Sequence, residues 1–125
     1  MIDTITLISL SVKEFTEIQH QGDMSVLLKF GAPWCGPCKL IKPLCDQFVK
    51  LTSGFIYADI NIDNSELFNA LKSKKMVKSI PTILFYDKNV QRDFWYIPDD
   101  SVIGGDITQV RACLDRCNLK IKKGQ

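Results

Sequence analysis

The run Ser25-Val26-Leu27-Leu28-Lys29-Phe30 is the tightest constraint on what this chain can fold into. It has strand length but does not alternate between apolar and polar residues, so neither of its faces suits water, and it reads as a strand covered on both sides. Such a strand needs helices above and below its sheet. The rest of the chain supplies them in order. Thr4 to Leu10 is β-branched and apolar enough for a first strand, and Ser11-Val12-Lys13-Glu14 has the form of a capping box opening a helix to about His20. Gln21-Gly22-Asp23 breaks that helix. After Gly31-Ala32-Pro33, the residues Leu40, Ile41, Leu44, Phe48 and Leu51 recur at helical spacing, predicting a helix from Cys35 to about Lys50, kinked near Pro43. Phe55 to Ile62 is a second buried-type strand, and Asn64-Ser65-Glu66 opens a short helix with Leu67, Phe68 and Leu71. Thr82 to Tyr86 is a strand, followed by a turn at Asp87-Lys88-Asn89 and a partner strand within Val90 to Ile97. Asp106-Ile107-Thr108-Gln109 caps a last helix ending near Leu119. The order βαβαβα-ββα predicts an α/β fold whose sheet is parallel in its first part and antiparallel at one edge, with helices on both faces.

A chain of 125 residues without an internal linker, repeat or low-complexity tract is expected to form one domain over residues 1–125. A formal charge of +2 is too small to imply nucleic acid or an acidic membrane as partner, and no run approaches the length of a membrane span. Met1-Ile2-Asp3-Thr4 carries an acid rather than a basic cluster, with no apolar core and small-residue site behind it, so the expected location is cytoplasmic. A monomer is the expected state. Five cysteines is an odd number, which no framework of paired structural disulfides can use completely.

The chemistry concentrates in Trp34-Cys35-Gly36-Pro37-Cys38. Two cysteines three apart at the start of a helix lie on one face, close enough for a disulfide to form and break without large backbone movement. Cys35 follows a strand and opens the helix, where unpaired N–H groups and the positive end of the macrodipole favour its thiolate. It is the expected nucleophile, and Cys38, one turn deeper, the residue that resolves a mixed disulfide by closing the Cys35–Cys38 bond. Gly36 allows another chain to approach, and Pro37 has no N–H to leave unpaired at a helix start. A zinc ribbon would need a second ligand pair, and Cys45, Cys113, Cys117 and His20 do not supply a second Cys-x-x-Cys. A covalent haem would need His after the second cysteine, where Lys39 stands. An inert structural disulfide is the remaining alternative, disfavoured because a bond in a short exposed turn is of the labile kind. No cofactor or metal is expected.

The segment Ala32-Pro33-Trp34-Cys35-Gly36-Pro37-Cys38-Lys39, followed by Pro43, resembles the active site of the thioredoxin family. Asn61-Ile62-Asp63 and Ile80-Pro81-Thr82 lie in the family's order and spacing, so the likeness runs roughly from Ile5 to Leu119. The resemblance implies a thioredoxin fold with a five-stranded mixed sheet and four helices, a cis peptide before Pro81, and a substrate groove formed by Trp34, Ile80, Pro81 and Gly104. It also implies reduction of disulfide-containing proteins, with a thioredoxin reductase or glutathione as electron donor. An interaction subunit in which the dithiol is incidental is the rival reading. Lys29 and Asp59 depart from the family's pattern, which carries an acid at the first position and a lysine at the second. We read them as an ion pair of reversed polarity supporting the active site, because a lysine in so apolar a strand needs an opposite charge within reach. Near Cys38 it would act either as a cation favouring thiolates or, if desolvated, as a neutral base, and a lysine that packs its stem and reaches solvent is the alternative.

The stretch from Asp87 to Gly104 is longer than the family's usual hairpin and carries Phe94-Trp95-Tyr96-Ile97-Pro98, which reads either as a docking patch or, in preference, as part of a core face. Cys45, Cys113 and Cys117 are expected to be buried thiols, the last two with a regulatory or intermolecular disulfide as the sharper alternative. Lys120, Lys122 and Lys123 are expected to form a frayed tail.

Overall fold

The computed structural model describes residues 3–123; residues 1, 2, 124 and 125, the ends of the expected 1–125 domain, lie outside the described residues. Its elements are β1 (Ile5–Leu7), α1 (Val12–Gln21), β2 (Ser25–Gly31), α2 (Gly36–Leu51), β3 (Phe55–Asn61), α3 (Glu66–Ser73), β4 (Thr82–Tyr86), β5 (Asp100–Ile103) and α4 (Ile107–Lys123). A single 3-10 turn, Ile62–Asn64, follows β3. The strands lie in the order β1-β3-β2-β4-β5. β3 runs parallel to β1 and β2, whereas β4 runs antiparallel to β2 and β5. This is the predicted mixed sheet with four helices.

Every residue of the central strand β2 is buried. Side chains alternate across a strand, so Val26, Leu28 and Phe30 pack with Phe15 of α1 and Leu67 and Leu71 of α3, while Leu27 packs with Ile41 and Phe48 of α2 and Val110 of α4. Both faces are dry, which is why the run shows no polar alternation. The capping box forms as expected: the Glu14 N–H donates to Ser11 Oγ at 3.0 Å, and the Ser11 N–H donates back to Glu14 Oε1 at 2.9 Å. Gly22 closes α1 at φ +68°, a left-handed conformation that glycine adopts without steric cost. α2 runs through Pro43 as one helix. Among the described residues no helix is long and apolar enough to cross a membrane.

Three boundaries differ from the sequence reading. The first strand is only three residues, Ile5–Leu7, rather than Thr4 to Leu10. More consequentially, Val90 to Ile97 contains no strand, and the antiparallel partner of β4 is Asp100–Ile103. Side chains rather than a ladder satisfy the backbone of the intervening loop. Arg92 donates to the carbonyls of Ile97 at 2.6 Å and Asp87 at 3.3 Å and pairs with the Asp99 carboxylate, while Asp87 Oδ1 accepts the Asn89 N–H at 2.9 Å. The aromatic run divides accordingly. Trp95 and Tyr96 pack against the α1 side of the core, with the Trp95 ring 6.1 Å from Phe15, whereas Phe94 and Ile97 face solvent. Finally, α4 does not fray at Leu119 but continues through Lys123, because Ile121 is buried and Lys120 reaches Asp100 at 3.7 Å.

Removing the loop's central cation takes the charged donor from the half-buried Asp99 carboxylate and a donor from the Ile97 and Asp87 carbonyls. We expect Arg92→Ala to cost about 1–3 kcal/mol in denaturant unfolding and to accelerate amide exchange in residues 87–99 while leaving that of β2 unchanged relative to global stability.

Candidate active site

The end of β2 delivers the chain to the site. Ala32 to Trp34 make a tight turn in which the Cys35 N–H donates to the Ala32 carbonyl at 3.1 Å, and Cys35 becomes the N-cap of α2. Its Sγ accepts the Cys38 N–H at 3.2 Å, satisfying a donor that a helix start would otherwise leave unpaired. Pro37 occupies the first turn, where its missing N–H costs nothing. Cys35 and Cys38 are joined by a disulfide with their Cα atoms 5.3 Å apart.

Trp34, Gly36 and Pro37 around the pair are exposed, but the cysteines themselves are only 5% and 6% exposed. The turn is open and the sulfurs sit at its floor, so a partner must approach closely to reach them. Two glycines make that packing feasible. A Cβ on Gly31 would lie 3.2 Å from Cys38 Sγ, and a Cβ on Gly105 would lie 3.0 Å from Pro37 Cβ and 3.2 Å from its carbonyl oxygen. The sequence reading used Gly31 only to end a strand and did not name Gly105. Glycines flanking the end of a buried strand and the last helix were the available signal. The same reading named Asp63 only as part of the Asn61-Ile62-Asp63 run and gave it no role, whereas its Oδ2 accepts the indole N–H of Trp34 at 3.0 Å. The backbone N–H of Asp63 in turn donates to Asn61 Oδ1 at 3.0 Å, so the Asn61-Ile62-Asp63 run holds the rim.

Of the expected groove residues, Gly104 donates its N–H to the Pro81 carbonyl at 2.8 Å, and the Ile80–Pro81 peptide is cis. Gly105 against Pro37 brings this β5 end to the active turn. Ile80 is half-buried and packs toward the α1 and α3 side of the core. His20 stands exposed at the end of α1, and Cys113 and Cys117 lie on the buried face of α4.

Lys29 and Asp59 face one another in register on β2 and β3, with Nζ 3.6 Å from Oδ1. The lysine side chain is 7% exposed and the aspartate 48%, so the pair has one member in the dry layer and one at its edge. Lys29, Gly31, Cys38, Lys42 and Asp59 line a common cavity of about 270 Å³ beneath the active turn. Deeper on the same helix face, burial pushes the Cys45 thiol up, above its ordinary range, and keeps it protonated beside the likewise raised Tyr57 hydroxyl. Cys45 is therefore a poor nucleophile, in line with its reading as an apolar filler.

A dithiol at a helix start, a tight rim and a lysine lining the same cavity as the second cysteine together suit reversible exchange of a disulfide with a partner molecule. A profile of the family described as Thioredoxin matches residues 6–97. The chain is similar to "Thioredoxin M-type, chloroplastic" of Spinacia oleracea, 38% identical over 95 residues that make up 75% of this chain and 45% of that protein. It is also similar to "Thioredoxin-2" of Saccharomyces cerevisiae, 33% identical over 76 residues, 61% of this chain and 70% of the yeast protein. The chain thus spans less than half the length of its chloroplastic relatives. Among solved structures, a Plasmodium falciparum thioredoxin superposes with a TM-score of 0.67 at 24% identity, covering 88% of this chain and 97% of that one. Thioredoxin O1 from Arabidopsis thaliana in the oxidised state gives 0.65 at 22%, covering 93% and 98%. These structural likenesses concern the fold.

Because Gly105 meets backbone, a methyl group there must displace the active turn, whereas Gly36 has open space around it. We expect Gly105→Ala to lose about 1–3 kcal/mol in urea unfolding of the oxidised protein, and Gly36→Ala to lose nothing or gain slightly; equal effects at the two positions would contradict the contact.

Proposed function

The chain belongs to the thioredoxin family, and on that premise we propose that it is a thiol–disulfide oxidoreductase that reduces disulfides of partner proteins through Cys35 and Cys38. The observation that carries this reading is the bonded pair at the N-terminus of α2, with Cys35 Sγ already accepting the Cys38 N–H. In the reduced protein that N–H and the helix terminus stabilise a Cys35 thiolate. The thiolate attacks one sulfur of the partner's disulfide, forming a mixed disulfide and releasing the other sulfur as a thiolate that takes up a proton. Cys38 then loses its proton and attacks Cys35 Sγ, which forms the Cys35–Cys38 bond and releases the second partner sulfur. The partner gains two electrons and two protons, and the protein loses them. Trp34 and Gly36 form the approach to Cys35, Pro37 fixes the turn, and Ile80, Pro81 and Gly104 form the groove on the other side, where an extended partner segment adds its backbone to the rim.

Recharging falls to a thioredoxin reductase or to glutathione. We further propose that the protein works as a single-domain monomer in the cytoplasm. The rival reading, an interaction subunit with incidental thiols, drew on the aromatic run of residues 94–97, and half of that run packs into the core at the sheet end remote from the cysteines.

The Lys29–Asp59 pair has a role in this scheme. A positive charge in the cavity under Cys38 favours the thiolate, and whatever favours the thiolate favours the reduced state and raises the reduction potential. Lys29→Met should lower the potential by roughly 10–30 mV, equivalent to about 0.5–1.4 kcal/mol, measured by equilibration with a dithiol buffer; an unchanged or raised potential removes Lys29 from the active-site support.

The main reading is tested by insulin reduction with dithiothreitol as electron source. Cys35→Ser should abolish the catalysed rate, and Cys38→Ser should accumulate a mixed disulfide with the substrate that dithiothreitol resolves. Full activity in Cys35→Ser would falsify the assignment of the nucleophile.

A further inference from the structure

Away from the dithiol, a second group of sulfur ligands is assembled where α4 crosses β5. Cys113 and Cys117, four residues apart, lie on the same buried face of α4, and Asp100 opens β5 at the sheet end opposite the dithiol. The two Sγ atoms and a carboxylate oxygen of Asp100 all lie within 4.8 Å of one another. The sequence reading weighed these thiols as metal ligands only with Cys45 and His20 and did not join them to Asp100. We propose that Cys113, Cys117 and Asp100 form a binding site for a thiophilic metal ion, the cuprous ion in preference to zinc.

Three observations support the site. Sulfur donors sit about 2.3 Å from a thiophilic metal and can therefore be up to about 4.6 Å apart across it. The observed spread is close to that limit. The carboxylate is also held in place as an outer shell holds a ligand: Arg116 donates from Nε to Oδ2 at 2.8 Å and from Nη2 to Oδ1 at 2.9 Å, and the Ser101 N–H donates to Oδ1 at 2.8 Å. Finally, the two sulfurs share one face of α4, and Cys113 Sγ lies 4.0 Å from Asp100 Oδ1.

Charge decides between ions. With both thiols protonated, Asp100, Arg116 and Lys120 leave the cluster with one net positive charge. A cuprous ion that displaces both thiol protons to solvent brings one positive charge and creates two negative ones, so the loaded cluster is neutral. Zinc binding by the same exchange leaves it positively charged in a largely buried place, which is costlier. Thiolates also select the softer ion. Arg116 and Lys120, which pair with Asp100, have solvent-exposed side chains, so the cluster lies just beneath the surface.

The test uses the full chain carrying Cys35→Ser and Cys38→Ser, so that the active pair cannot take the metal. It is titrated anaerobically with cuprous ion against bicinchoninate, and separately with zinc against a chromophoric chelator. One equivalent of copper is expected, bound more tightly than zinc. Arg116→Ala should weaken copper roughly 10-fold, and Cys113→Ala by more than the roughly 100-fold that outer-shell changes reach. Copper affinity unchanged by Cys113→Ala, or tighter binding of zinc, overturns the proposal. Should Cys113→Ala fail to fold, X-ray absorption of the copper-loaded Cys35→Ser, Cys38→Ser protein decides: two sulfur ligands support the site, and one or none overturns it, since Cys45 by itself can furnish only one.

Discussion

Everything in this molecule is arranged around a strand that has no wet side. β2 is the middle of the sheet and is buried along its whole length, so each neighbour must present apolar surface to it or bring a compensating charge. The first requirement sets α1 and α3 on one face and α2 and α4 on the other, and burying a large apolar side chain such as Phe15 or Phe30 there contributes about 1.5–3 kcal/mol apiece. The second explains Asp59. Lys29 cannot sit in that layer alone, and the only strand whose register puts a carboxylate opposite it is β3. Placing Asp59 where half of it meets water lessens the desolvation that a fully buried pair would suffer.

The same strand aims the chemistry. Because β2 ends at Gly31 and the chain turns at once into α2, the first cysteine falls on the helix cap, where the Cys38 N–H donates to its sulfur. Packing around the pair is close enough that glycine is needed on both sides, at Gly31 against Cys38 and at Gly105 against Pro37. The exposed indole of Trp34 is tied to Asp63, so even the outer edge of the site is anchored to the turn after β3.

Much of this could be read before any coordinates. The two-sided burial of residues 25–30, the Ser11 to Glu14 cap, the Cys35-x-x-Cys38 spacing and the opposition of Lys29 to Asp59 are local or nearest-strand properties that residue types report directly. The Asp87 to Asp99 segment was misread because its aromatic residues have strand-like propensity, while the interactions that settle its shape are made by Arg92 with backbone groups on both sides of it. Sequence patterning carries no sign of a guanidinium reaching carbonyls five residues away. The end of α4 was set by a similar tertiary effect, a single Ile121 finding the core between Lys120 and Lys122. The contacts of Gly105 and Asp63 went unforeseen for the related reason that their importance lies in who their neighbours are.

The loop between β4 and β5 closes on itself. The Asp99 N–H meets the Phe85 carbonyl at 2.8 Å where the ladder stops, and Arg92 draws the remaining residues into a ring fastened at Asp87 and Asp99. Its geometry is thus uncoupled from strand register, and it hangs from the opposite pole of the sheet to the cysteines. Residues outside that clasp, such as Gln91, Asp93 and the solvent-facing Phe94, form a region where length and composition can drift over evolutionary time, or accept a grafted peptide, without disturbing the redox machinery.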